Sequence, residues 1–455
     1  MPPTVPAVVA NMALTLSRRV AVNLNYTVSE SIINRCIEQA QIKHVLTSRK
    51  VMEKLGMNLN AEVVYLEDLK DKATLGDKIV AFTQSKFMPE GMLASQLELH
   101  KNKPDDRLTI IFTSGSTGIP KGVPLTFNNI ASNVQGFDAT IHVKENDCFL
   151  GILPFFHSFG YTGTLWAVGC LPCSGAFHYN PLEPKQIAKL IENYKCTIVL
   201  GTPTFLRGFL KRIEPEQFKT VDVVVVGAEK MPIPLAQAFE ERFGVRPIEG
   251  YGTTELSPVV AVNVPPSRAR TQEGKNSLRE GSVGRPIPAV QARAVSLDDH
   301  SKVMGPGEPG MIEISGPNVM PGYLNQPELT AKVMNDGWYI TGDVGFVDRA
   351  GGVGGDLDRE RAGARRAVRQ REGVLAIERR GARERPGGRE GGVDERGAGG
   401  RVHDTDPIDP GAGKGARAGV GVVPADRERA AALERRLHHG QVGDGDVHRL
   451  ERDRR

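Results

Sequence analysis

The chain has 455 residues, enough for two or three domains, and its 58 basic and 54 acidic side chains leave a formal charge of +4. That surplus is wholly C-terminal: residues 1–350 carry 35 basic and 35 acidic groups, and residues 351–455 carry 23 and 19. The first 350 residues thus offer no net field for nucleic acid or an anionic membrane, and five scattered cysteines fit a reducing compartment better than a disulfide framework.

Near the N-terminus there is no basic, apolar, small-residue export pattern. Ala7 to Leu16 reads as an apolar helix, and the chain then enters a sheet pattern without the elements that would precede it in an α/β domain, so the beginning reads as cut. Residues 31–43 place Ile32, Ile33, Cys36, Ile37, Ala40 and Ile42 near one helical face, and His44 to Thr47 follows as a short strand. Strand and helix continue to alternate through Ala61–Leu66, Leu108–Phe112, Thr197–Leu200 and the valine run 221–226. Continuous apolar strands separated by helices predict parallel sheets covered on both faces. Between Asp147 and Glu183 there is no charged residue, but Pro154, Gly160, Gly163, Gly169, Pro172 and Gly175 interrupt the stretch, so it reads as a buried pocket wall rather than a membrane span. Within it, the Cys170–Cys173 pair has no second pair at zinc spacing and is assigned to core or pocket lining. Beyond about residue 280 the strands become short and turn-rich, as at Met311–Ser315, predicting a smaller β-rich subdomain. Residues 351–455 hold 22 of the 37 arginines and none of the 26 aromatic residues, and cannot assemble a core of normal density.

Five segments carry chemistry. Thr113-Ser-Gly-Ser-Thr-Gly-Ile-Pro-Lys-Gly122 follows a buried strand and suits a polyphosphate. Gly115 and Gly118 let backbone N–H groups converge, Ser114, Ser116 and Thr117 add hydroxyls, and Lys121 adds a mobile cation. Pro120 and Gly122 flank that lysine, so the usual P-loop spacing is not met. Tyr251-Gly252-Thr253-Thr254-Glu255 sets a carboxylate beside two hydroxyls after a glycine turn, a station for Mg²⁺ and phosphate with an aromatic ring for a base. Gly227-Ala228-Glu229, at the end of the valine run, is small enough for a flat ring to lie against backbone. Asp343, after Gly342 at a strand end, is placed to accept two ribose hydroxyls. His157 sits among aromatics in Leu153-Pro-Phe-Phe-His-Ser-Phe-Gly160. Each of these has a bland alternative: a surface turn, a capping aspartate, a core histidine.

Together these segments resemble the adenylate-forming, acyl-activating (AMP-binding, ANL superfamily) enzymes, over residues 5–350. The resemblance implies an α/β fold, the large N-terminal domain of that superfamily, with ATP and Mg²⁺ as cofactors. It implies that Thr113 to Gly118 with Lys121 hold the phosphates, with Thr117 near the metal, that Tyr251 stacks on adenine against the Gly227–Glu229 wall, with Gly252 and Thr253 beside it. It further implies that Thr254 meets the α-phosphate, Glu255 binds the metal, Asp343 binds ribose, and His157 faces the acyl carboxylate. Ala21–Thr27 and His44–Arg49 look most like the synthetase half of bacterial bifunctional acyl-[acyl-carrier-protein] synthetase / 2-acylglycerophosphoethanolamine acyltransferases. That implies a long-chain fatty acid substrate, an acyl carrier protein or CoA acceptor, no nucleic acid, no transmembrane segment and a cytoplasmic setting.

The organisation predicted is an N-terminally truncated α/β part (1–280), a β-rich subdomain (281–350), and an Arg/Gly-rich tail (351–455) read as disordered and out of frame. The family's hinge, C-terminal domain and late lysine are not recognisable in that tail, where the one lysine is Lys414. The expectation is therefore impaired adenylation and no thioester formation. An inactive fragment and an RNA-binding tail are the competing readings.

Overall fold

The structure is a computed structural model that describes residues 1–113, 120–269, 278 and 282–355, with the backbone of 422–423. The chain divides into one unit of Met1–Asp358 with Val420–Arg455 and a second, Arg359–Gly419, which lies outside the described residues. The predicted tail likewise lies outside them beyond residue 355, apart from Val422–Val423, whose backbone pairs antiparallel with Ser174–Phe177.

Among the described residues sixteen strands precede that pair. Two short parallel strands, β1 (His44–Thr47) and β2 (Glu62–Tyr65), form a small sheet, and β3 (Arg107–Thr113) and β4 (Lys121–Thr126) form an antiparallel hairpin of their own. The main sheet opens with β5 (Cys148–Gly151), β6 (Ser174–Phe177), β7 (Ile198–Gly201), β8 (Val223–Val226) and β9 (Ile248–Gly252), all parallel, in the order β6-β5-β7-β8-β9. From β9 it continues antiparallel through β10 (Val259–Val262), β11 (Ser282–Pro286), β16 (Val353–Gly354), β15 (Trp338–Val347), β13 (Gly310–Ser315) and β12 (Gln291–Val295). The two-residue β14 (Met334–Asn335) pairs with β15. The parallel and the turn-rich regions read from the sequence are thus joined by one hydrogen-bonded ladder.

The valine run explains why the parallel half is buried on both sides. Side chains alternate across a strand, and Val223 and Val225 enter one apolar cluster with Phe149, Ile198, Leu200 and Ile248, whereas Val224 and Val226 enter another with Leu150, Val199 and Phe239. The uncharged span 147–183 is core: Phe149, Leu150, Phe155 and Tyr161 are fully enclosed, and no described helix is long and apolar enough to cross a membrane. A π-helical stretch, Tyr161–Trp166, follows the turn at Gly160, where any Cβ would collide with the Pro154 carbonyl. Of the cysteine pair assigned to lining, Cys173 is buried but Cys170 is exposed. All five cysteines are free.

One buried ion group ties four segments together. Arg268 donates from Nη1 to Asp147 Oδ2 at 2.7 Å and from Nη2 to Asp147 Oδ1 at 2.8 Å, and also reaches Asp222 Oδ1 at 2.7 Å and the His142 carbonyl at 3.0 Å. Burial alone would raise the Asp147 carboxyl. The Arg268 guanidinium, the Lys144 N–H and the Thr197 hydroxyl outweigh it and hold the group below the usual carboxylate range. A depressed carboxyl stabilises the fold above the unfolded-state value and loses that stabilisation as pH falls toward its native value. Replacing Arg268→Ala strands the buried carboxylate, and we expect a loss of about 3–5 kcal/mol at neutral pH in urea melts. The deficit should shrink as pH falls, because burial without the guanidinium raises the Asp147 carboxyl of the variant and it takes up a proton while the wild-type group stays charged. A loss under about 1 kcal/mol would show the pair to be incidental.

Candidate functional site

The site forms where β9 runs out into a tight turn. Tyr251 and Gly252 are the last residues of β9, and a Cβ on Gly252 would collide with the Pro258 carbonyl. Thr254–Leu256 then makes a single 3₁₀ turn, and Ser257 takes a left-handed conformation (φ 75°) before a cis bond to Pro258. Nothing in local propensity dictates this course; buried amide side chains do. Asn133, fully buried on the helix Phe127–Ile141, donates to the carbonyls of Val259 (2.7 Å) and Leu256 (3.3 Å) and accepts the Val259 N–H (3.2 Å). Asn318 donates to the Leu256 carbonyl from the other side at 3.0 Å, and its own carbonyl accepts the Ser257 hydroxyl at 2.8 Å.

This turn presents the acidic residue. Glu255 is half-buried; its Oε1 accepts the Tyr323 hydroxyl at 2.8 Å, and its backbone carbonyl accepts the Met320 N–H at 2.8 Å. The Lys121 ammonium stands 5.3 Å from the centroid of the Tyr323 ring, a cation–π distance. One strand end away, Tyr251 donates from its hydroxyl to Asp343 Oδ2 at 2.7 Å, and Asp343, buried on β15, donates its N–H to Thr341 Oγ1 at 3.1 Å. The Thr254 and Ser158 hydroxyls lie 3.2 Å apart, which brings the uncharged span up to the same turn. Thr253 Oγ1 is buried with no hydrogen-bond partner among the described residues.

The remaining predicted residues distribute around this centre. Thr113 and Lys121 face each other across the hairpin in register, while Ser114, Gly115, Ser116, Thr117 and Gly118 lie outside the described residues, so the proposed metal contact of Thr117 does too. Gly227 follows β8, its N–H bonded to the Gly201 carbonyl at 3.2 Å, with Phe159 against its open side. Ala228 is held at φ 66°, a conformation that costs a residue with a Cβ about 1–2 kcal/mol, and Glu229 accepts the Thr204 hydroxyl at 2.9 Å. Glu249 Oε1 accepts the Met231 N–H at 3.1 Å and so braces this turn against β9; its carboxyl is raised by burial. The His157 ring lies against Phe156, centroids 4.6 Å apart and planes tilted by 55°. Its edge is open to solvent, yet close-packed protein around the ring lowers its pKa by desolvation, so at neutral pH it is an uncharged donor and acceptor.

What can such a site hold? Among the described residues no group of three or more His, Cys, Asp or Glu could cage a metal. Glu255 offers a carboxylate oxygen beyond the one bound to Tyr323, and that suits Mg²⁺, which takes one or two carboxylates and completes its shell with phosphate oxygens and water. The unbonded Thr253 hydroxyl and the side-chain-free edge at Gly252 also fit a polar ligand laid against backbone. Sequence reasoning missed Tyr323, Ser158, Asn133 and Asn318. Of these only Tyr323 carried a signal, an aromatic directly after the glycine of a Pro-Gly turn. We expect Asn133→Ala to leave buried groups of the turn unpaired at about 1–3 kcal/mol each and to lower stability by at least about 2 kcal/mol in urea melts; a change near zero would mean that the turn holds itself.

The sequence pattern of the AMP-binding enzyme family matches residues 1–324. The chain is 35% identical over 267 residues to a long-chain-fatty-acid–CoA ligase of Bacillus subtilis (strain 168), covering 56% of this chain and 44% of that one. It is 30% identical over 311 residues to a 2-succinylbenzoate–CoA ligase of Geobacillus sp. (strain WCH70), covering 67% and 59%. Among solved structures, ATP-bound MatB from Rhodopseudomonas palustris matches with a TM-score of 0.61 at 25% identity, covering 77% of this chain and 66% of that one. The chain therefore spans about half the length of the curated relatives it matches. With 324 of its 455 residues matched and the fold of the superfamily's large domain observed, the chain belongs to the AMP-binding enzyme family.

Proposed function

We propose that this chain binds ATP with Mg²⁺ and a long-chain fatty acid, and that its site is built to form the acyl-adenylate. The observation that carries the reading is the meeting of three sequence-distant segments in one network: Lys121 on the hairpin, Tyr251 and Glu255 around the end of β9, and Asp343 on β15. In the reaction an oxygen of the fatty carboxylate attacks the α-phosphorus, a new P–O bond forms, the bond to the bridging oxygen breaks, and pyrophosphate departs with the electron pair. A positioned, dry, cationic site lowers that barrier by holding the reactants in line and neutralising charge.

Each residue has a task in this reading. The Tyr251 ring and the Gly227–Glu229 turn flank adenine, Gly252 and Thr253 line the backbone edge, and buried Asp343 accepts the ribose hydroxyls. Lys121, with Thr113 and the loop from Ser114 to Gly118, binds the β- and γ-phosphates. Thr254 reaches the α-phosphate, and neutral His157 orients the incoming carboxylate. Glu255 would hold Mg²⁺, which supplies Lewis-acid stabilisation of phosphate charge. Thioester formation on CoA, or on acyl carrier protein as the likeness of residues 21–27 and 44–49 suggests, would follow in the intact relatives. Residues 351–455 offer only Lys414, in a context unlike the superfamily's catalytic lysine, so adenylation by this chain should be slow. The name of the Bacillus subtilis relative supports the fatty-acid assignment, and the 2-succinylbenzoate ligase marks how far acid preference varies.

A long-chain acyl sulfamoyl-adenosine, a stable mimic of the adenylate, tests the reading. A ligand that binds only the native state stabilises it by about 2.7 kcal/mol at a hundredfold excess over Kd, and the melting midpoint should rise. Asp343→Asn should weaken this binding about ten- to a hundredfold by removing charged acceptors for two hydroxyls. A folded protein whose midpoint ignores the analogue sinks the proposal; stabilisation by short or aromatic acyl analogues alone would redirect it to another acid.

A further inference from the structure

We infer that Tyr323 is a positioning residue that couples the phosphate-binding lysine to the metal-binding carboxylate. This rests on the adenylation reading and adds to it a residue outside all of the motifs above.

Three observations carry it. Tyr323 is itself immobilised: it is 7% exposed, and its N–H donates to Thr330 Oγ1 at 2.9 Å. Its two chemical handles point at two different members of the site, the hydroxyl to Glu255 Oε1 at 2.8 Å and the ring face to the Lys121 ammonium at 5.3 Å. The backbone around it is bonded to the same two elements, Met320 N–H to the Glu255 carbonyl and Leu324 N–H to the Gly122 carbonyl, both at 2.8 Å. Residues 320–324 thus bridge the hairpin and the 3₁₀ turn, which belong to different sheets, and Tyr323 occupies the centre of the bridge. A tyrosine hydroxyl is protonated at neutral pH, and toward a carboxylate oxygen it donates. By filling one lone-pair direction of Oε1 the hydroxyl fixes the rotamer of the carboxylate, and outer partners of this kind change metal affinity about 10–100-fold. The ring offers Lys121 a resting place while no phosphate is bound.

Titration of Mn²⁺, as a spectroscopic substitute for Mg²⁺, into the full chain saturated with a non-hydrolysable ATP analogue reads the coupling without turnover. Tyr323→Phe keeps the ring and removes the hydroxyl. It should raise the Mn²⁺ dissociation constant about tenfold and leave metal-free nucleotide affinity unchanged. In a Glu255→Gln background, where the metal ligand is already lost, the same change should add nothing. Equal Mn²⁺ affinity in wild type and Tyr323→Phe, or an equal loss in both backgrounds, overturns the inference and leaves the adenylation reading standing. A wild-type chain that binds no metal–nucleotide complex overturns both. If Tyr323→Phe fails to fold, Thr330→Val loosens the tyrosine from behind, and a smaller rise of the same sign is expected; unchanged Mn²⁺ affinity there counts against the inference.

Discussion

The site stands on the pair of buried amides that hold the turn after β9. Asn133 and Asn318 approach Leu256 and Val259 from opposite sides and satisfy backbone groups that a 3₁₀ turn, a left-handed serine and a cis proline bond leave without partners. A buried carbonyl without a partner is costly, so these contacts fix the turn's path more firmly than hydrophobic packing, which tolerates sliding. Glu255, Thr254 and the orphaned Thr253 hydroxyl take their positions from that path. Asn129 extends the same device: its Oδ1 accepts the Thr126 N–H to cap the helix Phe127–Ile141, while its Nδ2 donates to the Pro317 and Val319 carbonyls at 2.8 and 2.9 Å. One face of a single helix therefore organises both the turn and the segment that braces it.

Much of this was legible in the chain. The valine run and the apolar strand before the Ser/Gly loop follow from periodicity alone, whereas the helical face read over residues 31–43 forms a helix at Glu30–Gln39 that stops before Ile42. The uncharged span was read as a buried pocket wall on the strength of its prolines and glycines, and most of its large apolar side chains are buried. The fold class followed from the motifs; in the structure Tyr323 links Lys121 to Glu255, and Tyr251 bonds Asp343.

Other features were not legible, for physical reasons. That β3 and β4 form a separate hairpin is a matter of long-range pairing, which period-two patterns do not encode. The join between parallel and antiparallel strands at β9 and β10 hides behind a turn whose signals, Pro258 and Ser257, suggest an end rather than a continuation. Cys170 is exposed because it sits at the end of a helix, a placement that spacing from Cys173 does not set. The buried asparagines carry no motif, and Tyr323 only the Pro-Gly turn before it; their importance lies in partners 59 to 126 residues away in sequence.

Among the described residues two side-chain hydrogen bonds, Ser158 with Thr254 and Thr162 to the Ser257 carbonyl, run between the uncharged span and the nucleotide-side turn. On the proposed reading, the span recognises the acid and the turn handles the nucleotide. So slender a seam makes the two tasks separable in descent: the lipid-facing wall can be rewritten by drift without disturbing the energetics of phosphate chemistry. A single scaffold can then radiate into ligases for unrelated acids, and chimeras cut at this seam are the natural way to transplant preference.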